Sequence, residues 1–350
     1  MTDKIRWGIL GCGRIAAKFA DALRCVEAAE LVAVGSRTIE NARAFGEACH
    51  ARRCYGSYQA LAEDSELDII YVATPHPFHA ENTLLCLSAG KGVLCEKPLA
   101  VNARQGRAMI DCARTHRCFL MEAMWTRFLP LMEKVRELLA ENAIGRPQML
   151  AADFGFRDDP AAGKQRLHDP LLAGGALLDV GVYPLALSSM LFGTPQHIYS
   201  AATFGSTGVD EQNAMVLAFG EGRLAMLYSA QRTETPQEAT IMGTEGMIRL
   251  HRPWWRGTAL TLSRPGRDEQ TMELPTHENG FVYEIEAVHR DLREGRLENA
   301  RMPLDESLAI LQTLDAIRRQ WGFRYPFETD RPDTPEQNPP SRDQERRVER

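Results

Sequence analysis

Two short segments of this sequence contain residue types that suit redox chemistry on a small molecule. In Glu96-Lys97-Pro98, an ionisable lysine follows a short apolar run, so it would lie at the end of a strand. Well before it, Gly11-Cys12-Gly13-Arg14-Ile15-Ala16 has glycines at the spacing of a turn that binds dinucleotides. A lysine at a strand end is by itself an ordinary solvated residue, but the two segments together suggest hydride transfer.

The glycine turn lies between a predicted strand and a predicted helix, which is the context that a dinucleotide-binding motif requires. Gly11 permits a tight turn, Gly13 lets the backbone approach the pyrophosphate, and the helix N-terminus provides an anion site. A glycine turn that binds nothing is the plainer alternative. We predict that the residues of this turn contact the cofactor, namely Gly11, Cys12, Gly13, Arg14 and Ile15.

The residues after the second predicted strand indicate which cofactor is used. Enzymes that use NAD usually place an acidic residue there, roughly 20 residues after the turn, to bind the ribose 2′-hydroxyl. This chain has Ser36 and Arg37 instead, and a hydroxyl and a guanidinium can bind a 2′-phosphate that a carboxylate would repel. The pattern predicts NADP(H) rather than NAD(H), with Arg43 as a further contact; an Arg37 that is merely solvated is the alternative.

The loops after the fourth and fifth predicted strands lie at the same edge of the sheet, where ligands bind in open α/β folds. A lysine beside the positive charge of an oxidised nicotinamide would have its pKa lowered and could exchange a proton with substrate. We predict cofactor contacts from both loops, by Thr74, Pro75, His79, Glu96, Lys97 and Pro98.

These residues must be positioned by a parallel sheet. Short apolar strands alternate with helical patterns through residue 123, at Ile5–Leu10, Leu31–Val34, Ile69–Ala73, Val93–Cys95 and Cys118–Met121, with a weak strand at Cys54-Tyr55. This alternation is typical of a Rossmann-type, doubly wound sheet. We assign residues 1–123 to a domain that binds NADP(H).

From residue 124 onward the pattern changes to long alternating runs joined by glycine-rich turns, which predicts a large, mostly antiparallel open sheet within an α+β domain. The predicted helices are Leu131–Asn142, Ala176–Leu191, Phe281–Glu294 and Asp305–Trp321, and a polar loop covers Arg157–Asp169. We assign residues 124–328 to substrate binding and oligomer contacts. Residues 329–350 have almost no apolar side chains, so we predict a disordered tail.

Composition excludes several classes of protein. The chain has 350 residues, of which 44% are hydrophobic, and a formal charge of −6, so we expect no binding to nucleic acids or anionic membranes. No apolar run approaches the roughly 20 residues of a membrane span, and no signal peptide precedes the first strand. The eight cysteines form no C-x-x-C pair; we expect buried, unpaired thiols in a reducing cytoplasm and no metal site.

The combined motifs resemble the Gfo/Idh/MocA oxidoreductases, and are most similar to the branch of dimeric dihydrodiol dehydrogenases and NADP-dependent D-xylose dehydrogenases. The resemblance covers roughly residues 5–327 and includes Met121–Phe128 and Gly174–Tyr183. It implies that Lys97 is the catalytic lysine, joined to Pro98 by a cis bond. It also implies an open sheet that mediates oligomer contacts, so we expect a homodimer or homotetramer. Tyr183 stands where many members have histidine, which favours this branch.

Asp179 and Tyr183 lie four positions apart in a predicted helix, so their side chains would share a face. Tyr183 would act as general acid and base if Lys97 lowers its pKa, and Asp179 would orient the substrate hydroxyl or hold Lys97. The plainer alternatives are an Asp179 that braces the helix and a half-buried aromatic at Tyr183.

Other candidates are weaker. We predict substrate contacts from His76, Trp125, Arg127 and Phe154, although core packing, or helix capping for His76, is an alternative for each. Trp254-Trp255 reads as an exposed pair at a sheet edge, and His168 has no predicted partner.

The sequence therefore predicts an NADP(H)-dependent oxidoreductase of a cyclic polyol, either an aldose such as D-xylose or a trans-dihydrodiol, with Lys97, Tyr183 and Asp179 as catalytic residues. Inositols, anhydrosugars or other sugar derivatives are alternative substrates. A cofactor-binding sensor without turnover is the alternative from another class, and it would be expected to lack these three residues.

Overall fold

The computed structural model describes residues 4–158 and 165–328 and contains two sheets. The first six strands are β1 Ile5–Leu10, β2 Ala29–Gly35, β3 Arg53–Tyr55, β4 Ile69–Val72, β5 Gly92–Glu96 and β6 Leu120–Ala123. They form a fully parallel sheet in the order β3-β2-β1-β4-β5-β6, which confirms the doubly wound fold.

Five helices connect these strands: α1 Arg14–Cys25, α2 Ile39–Cys49, α3 Tyr58–Ala62, α4 His79–Ser88 and α5 Ala103–His116. Helix α1 buries Phe19 and Leu23 against the sheet, as their spacing predicts. Strand β1 lies between β2 and β4. The chain therefore first adds β2 and β3 on one side of β1 and then adds β4, β5 and β6 on its other side. Such a reversal opens a crevice at the carboxyl ends of the strands, where ligands bind.

The prediction for β6 was wrong at its start, which lies at Leu120 rather than Cys118. Arg117 has a left-handed backbone that ends α5, and the Cys118 N–H still donates to the Ala113 carbonyl at 3.0 Å. Cys118 therefore still belongs to the turn that ends α5, and the strand begins two residues later. The parallel sheet ends at Ala123; the division of the chain into two domains at that point stays a prediction.

The second sheet has eight strands: β7 Pro147–Gly155, β8 His197–Phe204, β9 Asp210–Ala218, β10 Leu224–Ala230, β11 Ala239–Gly243, β12 Met247–Leu250, β13 Ala259–Ser263 and β14 Gln270–Glu273. Their order is β14-β13-β12-β11-β7-β10-β9-β8. Neighbours are antiparallel except β7 and β10, which confirms a mostly antiparallel sheet.

The helices of this half are α6 Pro130–Ala140, α7 Gln165–His168, α8 Val182–Phe192, α9 Phe281–Arg293 and α10 Leu304–Gln320. The helix predicted from Ala176 begins there, but Leu177–Gly181 forms a π-helical turn before the regular helix α8. Such turns occur frequently at functional sites.

The expectation that no apolar run is long enough to span a bilayer was also wrong. The helical run Pro170–Phe192 has the length and composition of a membrane span, but 89% of its most apolar window is buried inside the protein. Helix α8 is buried on nearly all sides, which explains its uniformly apolar sequence.

Three further expectations need correction or lie beyond the described residues. Trp254 is not exposed: it lies in the short helical turn Trp254–Arg256, is buried, and donates its indole N–H to the Asp153 carbonyl at 2.7 Å. All eight cysteines are free, but Cys25 is exposed rather than buried. The tail predicted to be disordered, residues 329–350, lies outside the described part of the chain.

Candidate active site

A cleft of about 1450 Å³ opens at the carboxyl edge of the parallel sheet. One wall comes from the glycine turn and the ends of β2, β4 and β5, and the other from the second half of the chain. Trp125, Arg166, Asp179, Tyr183 and Phe281 belong to that second wall. The cleft therefore joins the predicted cofactor site to the predicted catalytic residues.

The glycine turn has the shape of a cradle for a cofactor. Gly11 has φ +100°, and a side chain there would meet the Ala73 carbonyl at 3.0 Å. A Cβ on Gly13 would meet nothing within 4 Å, so it would project into the open cleft directly before α1 begins at Arg14. A pyrophosphate fits this arrangement of free backbone and helix N-terminus.

Ser36 and Arg37 follow β2 and line the same cleft. The acidic residues among the described cleft-lining residues are Glu81, Glu96 and Asp179, and none of them follows β2. Arg43, suggested as a further contact, is exposed on α2 and is not among the residues that line the cleft. The end of β2 therefore presents a hydroxyl and a cation to any ribose bound there.

Cys12 lies beside Ser36 and is not a reactive thiol. Its Sγ is 3.6 Å from the Gly35 carbonyl oxygen, to which it donates. Burial raises the pKa of Cys12 to about 11, which keeps it in the neutral thiol form at pH 7.

Lys97 follows β5 and is joined to Pro98 by a cis bond, as the resemblance implies. Its Nζ donates to the main-chain carbonyl of Asp179 at 2.5 Å and is 3.9 Å from Asp179 Oδ1. It also lies 4.9 Å from the centre of the Tyr183 ring. Burial lowers the pKa of Lys97, but Tyr183, Asp179 and Glu96 outweigh it, so the pKa is raised.

Glu96 fixes the backbone of Lys97. Its Oε2 accepts from the Lys97 N–H at 3.2 Å, and its Oε1 accepts from the Tyr71 hydroxyl. Burial raises the pKa of Glu96, although Lys97 and Tyr71 oppose this effect. The carboxyl group of Glu96 lines the cleft, but both of its oxygens accept hydrogen bonds from other protein groups.

His79 ties the loop after β4 to the loop after β5. Its Nδ1 is 2.9 Å from the Pro98 carbonyl and its Nε2 is 2.8 Å from the Thr74 carbonyl. Burial lowers the pKa of His79 to about 4, although both carbonyls favour the protonated form. Both ring nitrogens face main-chain oxygens, so His79 links the two loops at the cleft wall. Thr74 and Pro75 line the cleft as predicted, but Pro98 does not.

Asp179 is the centre of the charged part of the site. Its Oδ1 accepts from Arg166 Nη2 at 2.8 Å. Burial raises the pKa of Asp179, but Lys97, Arg166 and His76 outweigh it and hold the pKa well below its usual range. Asp179 therefore stays ionised between two cations.

Arg166 is the residue of this site that the sequence did not reveal. It belongs to α7, within the segment that reads as a polar loop, and it lines the cleft. Nothing in the local pattern distinguishes it from other solvated arginines of this chain. Only the fold brings α7 against the π-helical turn that carries Asp179.

Tyr183 lies in the first turn of α8, and its hydroxyl oxygen accepts from the indole N–H of Trp125 at 3.2 Å. An indole can only donate, so the hydroxyl hydrogen of Tyr183 remains for another acceptor. Burial raises the pKa of Tyr183 and outweighs Lys97, which lowers it as the sequence analysis supposed.

Of the predicted substrate residues, His76 and Trp125 line the cleft. The His76 ring is buried with its Nδ1 3.3 Å from the Ala173 carbonyl, and burial lowers its pKa well below the usual value. Trp125 packs beside Phe281, with ring centres 5.2 Å apart. These aromatic rings form an apolar wall next to the charged residues.

Phe154 and Arg127 do not line the cleft, which contradicts both predictions. Phe154 is buried behind Tyr183, with ring centres 5.3 Å apart, and stacks on Trp255 at 4.5 Å. Arg127 points away from Trp125 into the core, where it donates to the Ala186 carbonyl at 2.7 Å and pairs with Glu306. Side chains two positions apart in a helical turn do not face the same side.

His168, which had no predicted partner, has its Nε2 3.2 Å from a carboxylate oxygen of Asp158, and its Nδ1 faces Gln231 at 3.4 Å. It is the last residue of α7, and its side chain is buried away from the cleft. This contact supports the short helix that carries Arg166.

Comparisons with known proteins agree with this geometry. Residues 5–124 match the family described as "Oxidoreductase family, NAD-binding Rossmann fold", and residues 132–249 match the GFO/IDH/MocA C-terminal domain. The chain is similar to a trans-1,2-dihydrobenzene-1,2-diol dehydrogenase of Danio rerio, at 38% identity over 92% of this chain and 98% of the relative.

Two solved structures are similar over nearly the whole fold. One is KijD10, a 3-ketoreductase from Actinomadura kijaniata in complex with NADP and TDP-benzene, at TM-score 0.82 and 27% identity, covering 91% of this chain and 98% of that chain. The other is an aldose-aldose oxidoreductase from Caulobacter crescentus complexed with glycerol, at TM-score 0.82 and 25% identity, with the same coverage.

Proposed function

The chain belongs to the Gfo/Idh/MocA family of nicotinamide-dependent oxidoreductases, and on that basis we propose that it is an NADP(H)-dependent dehydrogenase of cyclic polyols. Its substrate would be an aldose such as D-xylose or a trans-dihydrodiol. The observation that carries the proposal is the convergence of Lys97, Asp179 and Tyr183 at one end of a cleft whose other end is the glycine turn. The dihydrodiol dehydrogenase and aldose oxidoreductase relatives support the same substrate classes.

In this proposal the residues of the chain manage the proton, while the nicotinamide supplies or accepts the hydride when it is bound. Oxidation of a secondary alcohol releases a hydride from carbon and a proton from oxygen. The oxygen of the Tyr183 hydroxyl accepts a hydrogen bond from Trp125, so the hydroxyl hydrogen can be donated to the substrate oxygen. Lys97 stands beside it and exchanges the proton with the cleft, and Asp179 holds Lys97 in place.

Both Lys97 and Tyr183 have raised pKa values, so both carry their protons near pH 7. They are therefore ready to donate when a carbonyl is reduced. In the oxidative direction, a positive nicotinamide in the same cleft would lower both pKa values and favour proton acceptance.

Ser36 and Arg37 support NADP(H) as the cofactor, because they offer a hydrogen-bond donor and a cation where an NAD enzyme has a carboxylate. The complex of KijD10 with NADP is in keeping with this choice.

The direct test is a screen of the purified protein with NADP⁺ or NAD⁺ against aldoses, inositols, anhydrosugars and trans-dihydrodiols, followed by NADPH or NADH absorbance. We expect turnover with NADP⁺ on an aldose or a dihydrodiol. Turnover only on inositols or anhydrosugars would replace the substrate class, and a stronger response with NAD⁺ would refute the argument from Ser36 and Arg37. No turnover with either cofactor would refute the dehydrogenase proposal.

Lys97→Met should nearly abolish turnover and leave NADP(H) affinity largely unchanged, as measured by fluorescence titration. Lys91→Met is the matched control, since Lys91 is also buried, lies at the opposite end of β5, and donates to the Leu67 carbonyl at 3.1 Å. Retained activity in Lys97→Met would remove Lys97 from the mechanism.

We also propose that a second copy of the chain covers the outer face of the eight-stranded sheet. Tyr199, Val216 and Met226 are exposed and directly opposite one another on β8, β9 and β10, so they form one apolar row. Light scattering on the purified protein should give a dimer or tetramer, and Val216→Glu with Met226→Glu should give a monomer.

A cytoplasmic location is also part of the proposal, because eight free thiols suit a reducing compartment. Cell fractionation tests it.

A further inference from the structure

The segment Phe323–Glu328, which we call the C-terminal segment, follows α10 and contacts both halves of the chain. Its side chains lie outside the cleft wall, so the segment does not belong to the proposed cofactor or substrate contacts. Tyr325 is only 2% exposed, and its ring lies between Phe323, Phe327 and the guanidinium of Arg318. The backbone here is therefore held firmly in place.

The first contact is with the loop that follows Lys97. Glu328 Oε1 accepts from Asn102 Nδ2 at 2.8 Å, and Asn102 in turn caps the N-terminus of α5 through its side-chain oxygen. Arg318, which is paired with Glu328 at 2.6 Å, also donates to the Val101 carbonyl at 3.2 Å. The C-terminal segment thus fixes the far end of the short loop that begins at Lys97.

The second contact is with the turn that precedes Asp179. The Tyr325 hydroxyl donates to the Gly174 carbonyl at 2.8 Å, across 151 residues of sequence. Gly175 continues this turn: its N–H donates to the Leu167 carbonyl at 2.9 Å, and its carbonyl accepts from the Asp179 N–H at 3.3 Å. Anchoring Gly174 therefore anchors the main chain of Asp179.

We propose that Tyr325 and Glu328 are positioning residues, which set the separation between Lys97 and the Asp179 main chain by holding the loop of one half and the turn of the other. The proposal rests on the roles given above to Lys97 and Asp179. Neither residue touches the cleft, so both act only through these two segments.

The Lys97–Asp179 contact is sensitive to such positioning because it is made to a main-chain oxygen. A displaced side chain can recover a contact by changing rotamer, but the Asp179 carbonyl moves only with the backbone of the turn. Displacements of about 1 Å at a reacting group can lower rates by as much as a hundredfold.

Two variants each remove one bond with little other change. Tyr325→Phe keeps the ring and loses the bond to Gly174, and Asn102→Ser keeps a side-chain oxygen to cap α5 but loses the donor to Glu328. Tyr55→Phe is the matched control, since its hydroxyl donates to Asp64 at 3.0 Å, away from the catalytic residues.

The first measurement needs no substrate. The pH dependence of Lys97 acylation, followed by peptide mass spectrometry on the full-length protein, reports the pKa of Lys97. Because Asp179 raises that pKa, a looser contact should move the acylation curve of Tyr325→Phe and Asn102→Ser to lower pH. The curve of Tyr55→Phe should not move.

The second measurement is kcat with the substrate found in the screen. We expect about a tenfold loss of kcat in each of the two variants, with cofactor affinity within twofold of the unaltered protein. An unchanged Lys97 acylation curve in both variants would overturn the positioning role, whether or not a substrate is known. A lower melting temperature with unchanged kcat would also overturn it, whereas an inactive parent protein would refute only the proposed function.

Discussion

Replacing Arg166 by glutamine tests whether the ionised Asp179 is part of the working site. Arg166 Nη2 donates to Asp179 Oδ1 at 2.8 Å, and the two side chains are 35% and 12% exposed. The substitution keeps a polar but shorter side chain and removes the charge. Of the groups that lower the pKa of Asp179, Lys97 and His76 would then remain.

The size of the effect follows from this contact. A hydrogen bond to a charged group contributes about 1.5–3 kcal/mol when buried, and Arg166 is one-third exposed, so solvent screening reduces this to about 1–2 kcal/mol. If the contact persists in the transition state, this loss corresponds to a decrease of roughly 5- to 30-fold in kcat/KM. The free energy of unfolding at pH 7 should fall by a similar amount, about 1–2 kcal/mol.

The pH dependence of stability distinguishes this mechanism from a general loosening of α7. The folded-state pKa of Asp179 is depressed, so its contribution is complete above the unfolded value of about 3.9 and is lost as the pH falls through the folded value. The difference in unfolding free energy between the parent and Arg166→Gln should therefore be full at pH 7 and shrink in acid. Urea unfolding at several pH values measures it.

Steady-state kinetics provide the second assay. Arg166 lowers the pKa of Lys97, so its removal should also move the Lys97-dependent limb of the pH–rate profile to higher pH. Arg166→Lys should restore part of the activity. Arg114→Gln is the control: its pair with Asp305 at 2.9 Å is exposed, and we expect less than about 1 kcal/mol from its loss. An Arg166→Gln enzyme with parental kcat/KM and stability would refute the reasoning.

Three further substitutions test other parts of the site. Tyr183→Phe should lower kcat by about 10²–10⁴-fold and leave NADP(H) binding unchanged by fluorescence titration; a parental kcat would exclude the hydroxyl from proton transfer. Arg37→Ala should raise the KM for NADP⁺ by about tenfold, the value of one charged hydrogen bond, with no change for NAD⁺; equal changes for both cofactors would contradict a 2′-phosphate contact. Gly13→Val should abolish cofactor binding without lowering the melting temperature, because its Cβ meets no protein atom within 4 Å; binding at parental affinity would place the cofactor elsewhere.

The parts of the fold that sequence reasoning predicted correctly depend on local patterns. The glycine turn is recognisable because its spacing, the strand before it and the helix after it lie within twenty or so neighbouring residues. Most strands were predicted within a few residues, since apolar runs and turn residues define them without reference to distant segments. The end of α5 at Arg117 shows where that approach fails, because a capping turn can extend a helix into an apolar run.

The side chains that were misassigned depend on direction and on distant packing. Trp125 and Arg127 are neighbours in sequence, yet one faces the cleft and the other pairs with Glu306 on α10. The raised pKa of Tyr183 likewise reflects burial in the assembled fold, and the sequence supplied only the opposing charge of Lys97. Arg166 could not be found at all, since its function follows from where α7 packs.

One of the two roles predicted for Asp179 was to hold Lys97, and the structure shows how that contact is made. The principal contact is to the main-chain carbonyl of Asp179, within the π-helical turn. In a π-helical turn a carbonyl accepts from the N–H five residues later, and that residue here is Pro184, which has no N–H to donate. Pro184 therefore removes one main-chain donor that the Asp179 carbonyl could otherwise have, and the sequence contained that signal five positions after Asp179.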